Sequence, residues 1–199
     1  MMTVMRNQKH HTRAAAKEAS HERILSVAAR AIRRSGYDGT GVADIMKEAG
    51  LTHGAFYAHF ESREAMLAEA ANRACAESAA MAADVMAHVP ADKALAAMLG
   101  AYLSPEHLRQ IESGCPLAAL GSETARQAPE VRRATTQHIK AMVDLFARQS
   151  PDWGQPAAHE RAMLTVASIV GTLILARAVD EPALADSLRK AALKYLAPA

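Results

Sequence analysis

Between residues 52 and 63 the chain gathers Thr52, His53, Tyr57, His59 and Arg63 around two residues with almost no bulk, Gly54 and Ala55. Hydroxyl, imidazole and guanidinium donors around a bare surface suit reading a nucleic-acid groove better than breaking a bond. Small side chains let the backbone approach base edges, the Ala55 methyl can meet a thymine methyl, and Thr52 and His53 carry hydrogen-bonding groups. Tyr57, His59 and Arg63 flank this face within reach of phosphates. On a helical wheel for 53–60, Phe56 and Phe60 fall on the opposite side and point to a core.

The flanking residues predict how these groups are held. Val42, Ile45, Met46 and Ala49 form one apolar face of a short helix, with Asp44, Lys47 and Glu48 outward. Gly50 ends that helix in the left-handed conformation a helix C-terminus often needs. Thr52 then caps the next helix, and Leu51 before it can pack on Phe56 as a hydrophobic staple. Ser62 caps a further helix, whose first amides also favour an anion. The result is a helix-turn-helix; the alternative is a plain helical hairpin with glycines as punctuation. A preceding helix, about Ala19 to Ser35, braces it with Ile24, Leu25, Ala28, Ala31 and Ile32 inward and Glu22, Arg23, Arg30, Arg33 and Arg34 outward. From Ser62 a helix continues to about Ala87 without proline or glycine, long enough to act as a lever.

The segment ERILSVAARAIRRSGYDGTGVADIMKEAGLTHGAFYAHFESREAML, residues 22–67, resembles the tetracycline-repressor (TetR/AcrR) family of bacterial transcriptional regulators. The GYDGT turn, the V-x-x-I helix, AGLT-x-G, FY-x-HF and SREAML carry the resemblance in the family's order and spacing. It implies an all-α protein: an N-terminal three-helix helix-turn-helix DNA-binding domain and a C-terminal helical-bundle domain for ligand binding and dimerisation. It implies base-reading positions at Thr52, His53, Gly54 and Ala55 and phosphate positions at Tyr57, His59 and Arg63. Thr40, Val42 and Lys47 complete the candidate DNA-binding set. Gly41 stands where the family often has a capping Ser or Thr, and Met46 where it usually has Ala, which predicts one weaker backbone contact and slightly looser packing.

Composition agrees. A chain of 199 residues with 50% hydrophobic and 4% aromatic residues, rich in alanine and methionine, can bury a substantial core and should be all-helical. Three segments are expected: a basic flexible arm at 1–17, the DNA-binding domain at 18–64, and the effector and dimerisation domain at 65–199. Net charge is only +2, but Arg6, Lys9, Arg13, Lys17, His10 and His11 fall in the first 17 residues with no acid among them. Such an arm can add phosphate or minor-groove contacts, or be a solvated tail. With no long apolar run and no signal peptide recognised, a cytoplasmic protein without membrane association is expected.

Beyond Pro90, prolines at 105, 116, 129, 151, 156 and 182 suit helix starts or linkers, giving helices at about 91–103, 105–112, 116–127, 130–149, 157–179 and 182–196. Small residues Ala167, Ser168, Gly171, Thr172 and Ala176 allow close helix contact in 157–179. With 130–149 it resembles the helix pair through which the family forms a four-helix homodimer interface, and reading a palindromic double-stranded operator also requires two-fold symmetry. Tyr102, Leu108, Cys115, Leu120, Met142, Phe146 and Met163, with Leu103 and Val166, are candidates for a small-molecule effector pocket.

Cys115, between Gly114 and Pro116, falls at a helix start, where a thiol can become reactive and sense redox change. GCPLAALGSE resembles the segment at this place in several family members, some of which respond to electrophiles or oxidants through such a cysteine. Cys75 and Cys115 have no metal-ligand spacing, and the nine histidines are scattered without any catalytic motif. No catalytic residue, metal or cofactor is expected. The reading is a dimeric regulator, a repressor released from its operator by a small hydrophobic effector, or by oxidation of Cys115.

Overall fold

Five of the prolines mark where helices begin, because proline at the first helical position gives up an amide that has no partner there in any case. The computed structural model describes residues 2–150 and 152–197, with side chains from Ala14 onward, so Pro151 lies outside the described residues. Its helices are α1 Met2–Ser35, α2 Val42–Glu48, α3 Arg63–Ala87, α4 Ala94–Tyr102, α5 Pro105–Arg109, α6 Pro116–Thr124, α7 Pro129–Ala147, α8 Pro156–Ala178 and α9 Pro182–Leu196, with a 3-10 turn at His53–Ala58 and another at Ala91–Lys93. No strand occurs among the described residues.

The expected start of α1 near Ala19 is corrected. Its backbone is helical from Met2, because the alanine-rich stretch before Ala19 contains neither glycine nor proline to stop it. The side chains of Arg6, Lys9, His10, His11 and Arg13 lie outside the described residues. In the other helices the starts fall within a residue or so of expectation, except that a 3-10 turn precedes α4, and α5 stops at Arg109. Ser104 caps α5 by accepting from His107 N–H at 3.0 Å, as its Ser-Pro-Glu start predicts.

Two cores divide the molecule. The N-terminal one contains Ile24, Ile32, Ile45, Met46, Phe56 and Phe60 with the first turns of α3, and Leu120 of α6 and Val131 of α7 also belong to it. The second contains Met98, Leu99, Leu103, Cys115, Phe146 and Ile169. A boundary at residue 65 therefore crosses a shared core: α3 is built into both halves, and α6 and α7 cover the DNA-binding unit. This also explains Arg33, which was expected outward. Because α3 packs along that side of α1, Arg33 is only 3% exposed and pairs with Glu77 at 2.6 Å.

Candidate DNA interface and effector cavity

The α2 stop is a Schellman cap. Gly50 has φ +72°, Leu51 N–H donates to the Met46 carbonyl at 2.9 Å, and Gly50 N–H donates to Lys47 at 3.0 Å. Met46 is fully buried, so the larger residue is packed rather than loose; Gly41 starts α2 with no side-chain cap. The element after the turn is tighter than an α-helix. Ala55 N–H donates to the Thr52 carbonyl at 3.0 Å and His59 N–H to Phe56 at 2.9 Å, both three residues back. Phe56 and Phe60 stack at 5.5 Å inside, as the wheel predicts, and Leu51 packs on the same cluster.

On the outer face the expected residues separate into two groups. Thr52, His53, Gly54, Tyr57 and Lys47 are exposed, Tyr57 to 71%. Thr52 has the extended backbone of an N-cap, but its hydroxyl accepts no cap hydrogen bond from the described residues, which leaves it available to DNA. A Cβ on Gly54 would meet no described atom within 4 Å, so packing of this chain does not require glycine there. Ala55 and Val42 are half-buried against the core.

The others are occupied. Thr40 is 3% exposed and donates to the Gly36 carbonyl at 2.6 Å. The Arg63 guanidinium donates to the carbonyls of Tyr37 and Thr40, bracing the α1–α2 turn. His59 is half-buried beside His21 and Phe60, and burial, then the neighbouring His21 and Lys17, holds its pKa below the ordinary histidine value. Helical spacing could not distinguish Arg63 and His59 from groove-facing residues, because the groups that cover them come from other elements, whereas Thr40 bonds within its own turn.

Tyr37, within that turn, couples the two halves and was not identified from sequence. It is 1% exposed, its buried hydroxyl lies near Thr124 of α6 and Thr135 of α7, and its N–H donates to the Glu123 carboxylate at 2.9 Å. Neighbouring Gly36 has φ +76°, and a Cβ there would stand 2.6 Å from the same carboxylate. Only glycine suits that position on both counts. Arg34 reinforces the junction with an ion pair to Glu112 at 3.2 Å.

Between α3, α4, α5 and α7 lies a cavity of about 520 Å³. Ser78, Met81, Ala82 and Val85 of α3 form one wall at i, i+3, i+4, i+7 spacing, a helical stripe that the lever reading overlooked. The opposite wall holds His138, Met142 and Phe146 of α7, with Tyr102 and His107 closing one end. Of the expected pocket residues, Tyr102, Met142 and Phe146 line this cavity.

The remaining candidates are elsewhere. Leu120 is in the N-terminal core, and Leu103 and Val166 are in the second core. Met163 is 55% exposed on the outside of α8. Leu108 is half-buried and offers its carbonyl to Arg177 at 3.2 Å. Cys115 does begin α6, but it is 1% exposed inside the second core. Burial also pushes the Cys75 thiol up to about 12.

His107 ties the cavity to α6. Its Nδ1–H donates to the Tyr102 carbonyl at 2.6 Å, while Nε2 accepts from Cys115 N–H at 2.9 Å. Both ring nitrogens are thus committed to one neutral tautomer, and burial lowers the pKa to match. Arg177 of α8 donates to the carbonyls of His107 at 2.8 Å and Leu108 at 3.2 Å. Gly114 fits beneath the ring, where a Cβ would stand 2.8 Å from Nε2.

Helix α8 corrects a further expectation, since by length and composition it is apolar enough to cross a membrane. One side is core, including Ala176, while Leu164, Ala167, Ser168 and Leu175 form an exposed stripe.

Residues 24–70 match the family model described as bacterial regulatory proteins, tetR family. Residues 90–191 match that of the C-terminal domain of LmrA/YxaF-like transcriptional regulators. The HTH-type transcriptional regulator LmrA of Bacillus subtilis is 29% identical over 160 residues, covering 78% of this chain and 85% of that protein. An HTH-type transcriptional regulator of Mycobacterium tuberculosis is 29% identical over 169 residues, covering 80% of this chain and 85% of its own. A TetR-family regulator structure from Agrobacterium tumefaciens shares the fold at a TM-score of 0.76 and 19% identity, over 92% of this chain and 100% of that one. One from Chloroflexus aurantiacus has a TM-score of 0.76 at 23% identity, over 92% and 96%.

Proposed function

The chain belongs to the TetR family of bacterial regulatory proteins, DNA-binding helix-turn-helix transcriptional regulators that are not enzymes, and on that premise we propose that it is a cytoplasmic, dimeric repressor released from a palindromic operator by a small apolar effector. The observation that carries this reading is the continuity from cavity to DNA-binding unit. His107 closes the cavity and holds the start of α6 through Cys115 N–H, and the far end of α6 holds the α1–α2 turn through the Glu123 carboxylate on Tyr37 N–H.

An occupant that displaces His107 shifts α6, and with it Tyr37 and the recognition turn. Arg177 carries the same displacement to α8. An effector acts here by binding more tightly to the arrangement whose two recognition turns no longer match the half-site spacing. Thr52, His53 and Gly54 read bases, and Tyr57 and Lys47 hold phosphates. Arg63 and Thr40 support that surface from behind.

The open stripe on α8 supports a dimer through this helix. For its partner helix the exposed faces favour α9, with Leu184, Ala191 and Tyr195, over α7, where Arg132, Arg133 and Lys140 are exposed. The pairing of 130–149 with 157–179 is therefore revised to α8 with α9. The thiol-sensor alternative has less support, because an oxidant has little access to a 1% exposed Cys115.

The test is binding of the purified protein to the DNA upstream of its own gene, against an unrelated duplex and at two salt concentrations. Selective, salt-sensitive binding is expected, with log K falling linearly in log salt. Equal, weak binding to both duplexes, repeated across a library of random duplexes, overturns the operator reading. Release by oxidant that persists in Cys115→Ser eliminates the thiol sensor.

A further inference from the structure

Two buried polar atoms in the cavity wall lack partners. The Tyr102 hydroxyl and His138 Nε2 both have no hydrogen-bond partner among the described residues, and His138 is only 5% exposed. The Cys115 sulfur stands near the tyrosine oxygen, out of hydrogen-bonding geometry, and a thiol is a weak acceptor in any case. Leaving such groups unsatisfied costs stability, which makes them positions where a ligand gains affinity. They differ from the other polar lining residues, Ser78, Ser104, His107, Gln110 and Ser113, in carrying a buried atom without a partner, and the remainder of the lining is mainly methionine, alanine, valine, leucine and phenylalanine.

Charge narrows the choice. No lysine or arginine lines the cavity, whereas Asp84 and Glu106 do, at its rim. Asp84 is 77% exposed and lies 3.6 Å from His88, and Glu106 is 65% exposed beside Arg109 at 3.2 Å. Solvent screens both, so the rim repels an anion without offering a cation a desolvated partner. His138 is held neutral by burial, because charging it inside the wall would cost its hydration.

We propose that this cavity selects an uncharged, predominantly apolar molecule bearing a hydroxyl group, which bridges Tyr102 Oη and His138 Nε2. A hydroxyl both donates and accepts, so it accepts from the tyrosine O–H and satisfies the neutral imidazole in either tautomer. A carboxylate accepts only and carries a charge that nothing in the lining neutralises. An ammonium donates only and leaves the tyrosine proton unpaired. The proposal rests on the effector reading of the same cavity, and its test separates the two.

The probes are 1-decanol, decanoate and decylammonium, with one carbon skeleton and three head groups, titrated calorimetrically into the full-length dimer below their micelle concentrations. Decanol is expected to bind at least tenfold tighter than either charged analogue. Tyr102→Phe and His138→Leu are each expected to weaken decanol about five- to tenfold while leaving the melting temperature unchanged or raised, since each removes an unsatisfied group; a merely structural role would lower it. Equal or tighter binding of a charged probe, or unchanged decanol affinity in both variants, overturns the hydroxyl assignment.

Operator release is read separately by fluorescence anisotropy, with Ala82→Phe filling the cavity as control. Selective decanol binding that leaves operator affinity unchanged sustains the ligand chemistry and refutes the release mechanism. Release by a charged probe, abolished in Ala82→Phe, sustains the mechanism and refutes the ligand chemistry.

Discussion

Replacing Gly36 by alanine should damage the protein in two ways that a second substitution separates. At φ +76° an alanine is strained by roughly 1–2 kcal/mol, as L-residues are in the left-handed region. Its Cβ would also stand 2.6 Å from the Glu123 carboxylate, which must move and release Tyr37 N–H. A hydrogen bond to a charged acceptor contributes about 1.5–3 kcal/mol, and this one is only part-buried, so the lower half of that interval applies. Gly36→Ala should therefore cost about 2.5–4 kcal/mol and Glu123→Ala about 1.5–2 kcal/mol. In the double variant the strain remains, but the hydrogen bond is lost only once. Its cost should fall short of the sum of the singles by about 1.5–2 kcal/mol, the signature of two residues acting on one contact. The assay is denaturant unfolding of all four proteins at one protein concentration, because the stability of the proposed dimer would depend on it. Additivity within about 0.5 kcal/mol would refute the proposed contact between Glu123 and the α1–α2 turn.

Other substitutions separate the DNA face from the fold. Gly54→Ala should leave stability within about 0.5 kcal/mol, since its Cβ has open space, while weakening operator binding measured by anisotropy; unchanged affinity would remove Gly54 from the interface. Tyr57→Phe should weaken binding to every duplex without changing sequence preference, whereas Thr52→Ala should change the preference, as a panel of half-site variants would reveal. Glu77→Ala leaves the Arg33 charge buried and should cost about 3 kcal/mol by thermal unfolding, and a cost below about 1 kcal/mol would refute the buried pair. Because burial lowers the pKa of His107 and of His138, the unfolded chain takes up protons first as pH falls. Stability should be full above the ordinary histidine range and fall below pH of about 6.5, by up to about 1.4 kcal/mol per pH unit for each histidine. A melting temperature constant from pH 8 to pH 5.5, or an identical profile in His138→Leu, would contradict this. Leu164→Glu on the exposed stripe of α8 should yield monomers by sedimentation; an intact dimer would move the interface elsewhere.

The sequence by itself determined the helices and the helix-turn-helix. Proline at N1, Gly50 past a helix end, the Ser62 and Ser104 caps and the Phe56/Phe60 spacing are local signals, carried within a few residues of chain, and each is realised where it was read. Which polar residue of that motif is exposed was decided only by tertiary structure. Arg63 and Arg33 have the same side chains and helical spacing whether they face DNA or the interior. Their partners, the Tyr37 carbonyl and Glu77, are brought to them by a turn and a helix that periodicity does not position. The cavity is tertiary for the same reason. Leu120 and Met142 are equally apolar, but the α6 axis carries one into the DNA-binding core and α7 turns the other toward the void. Tyr102 and His138, 36 residues apart in sequence and each with an unsatisfied buried atom, line one cavity only because α4 and α7 flank the same gap.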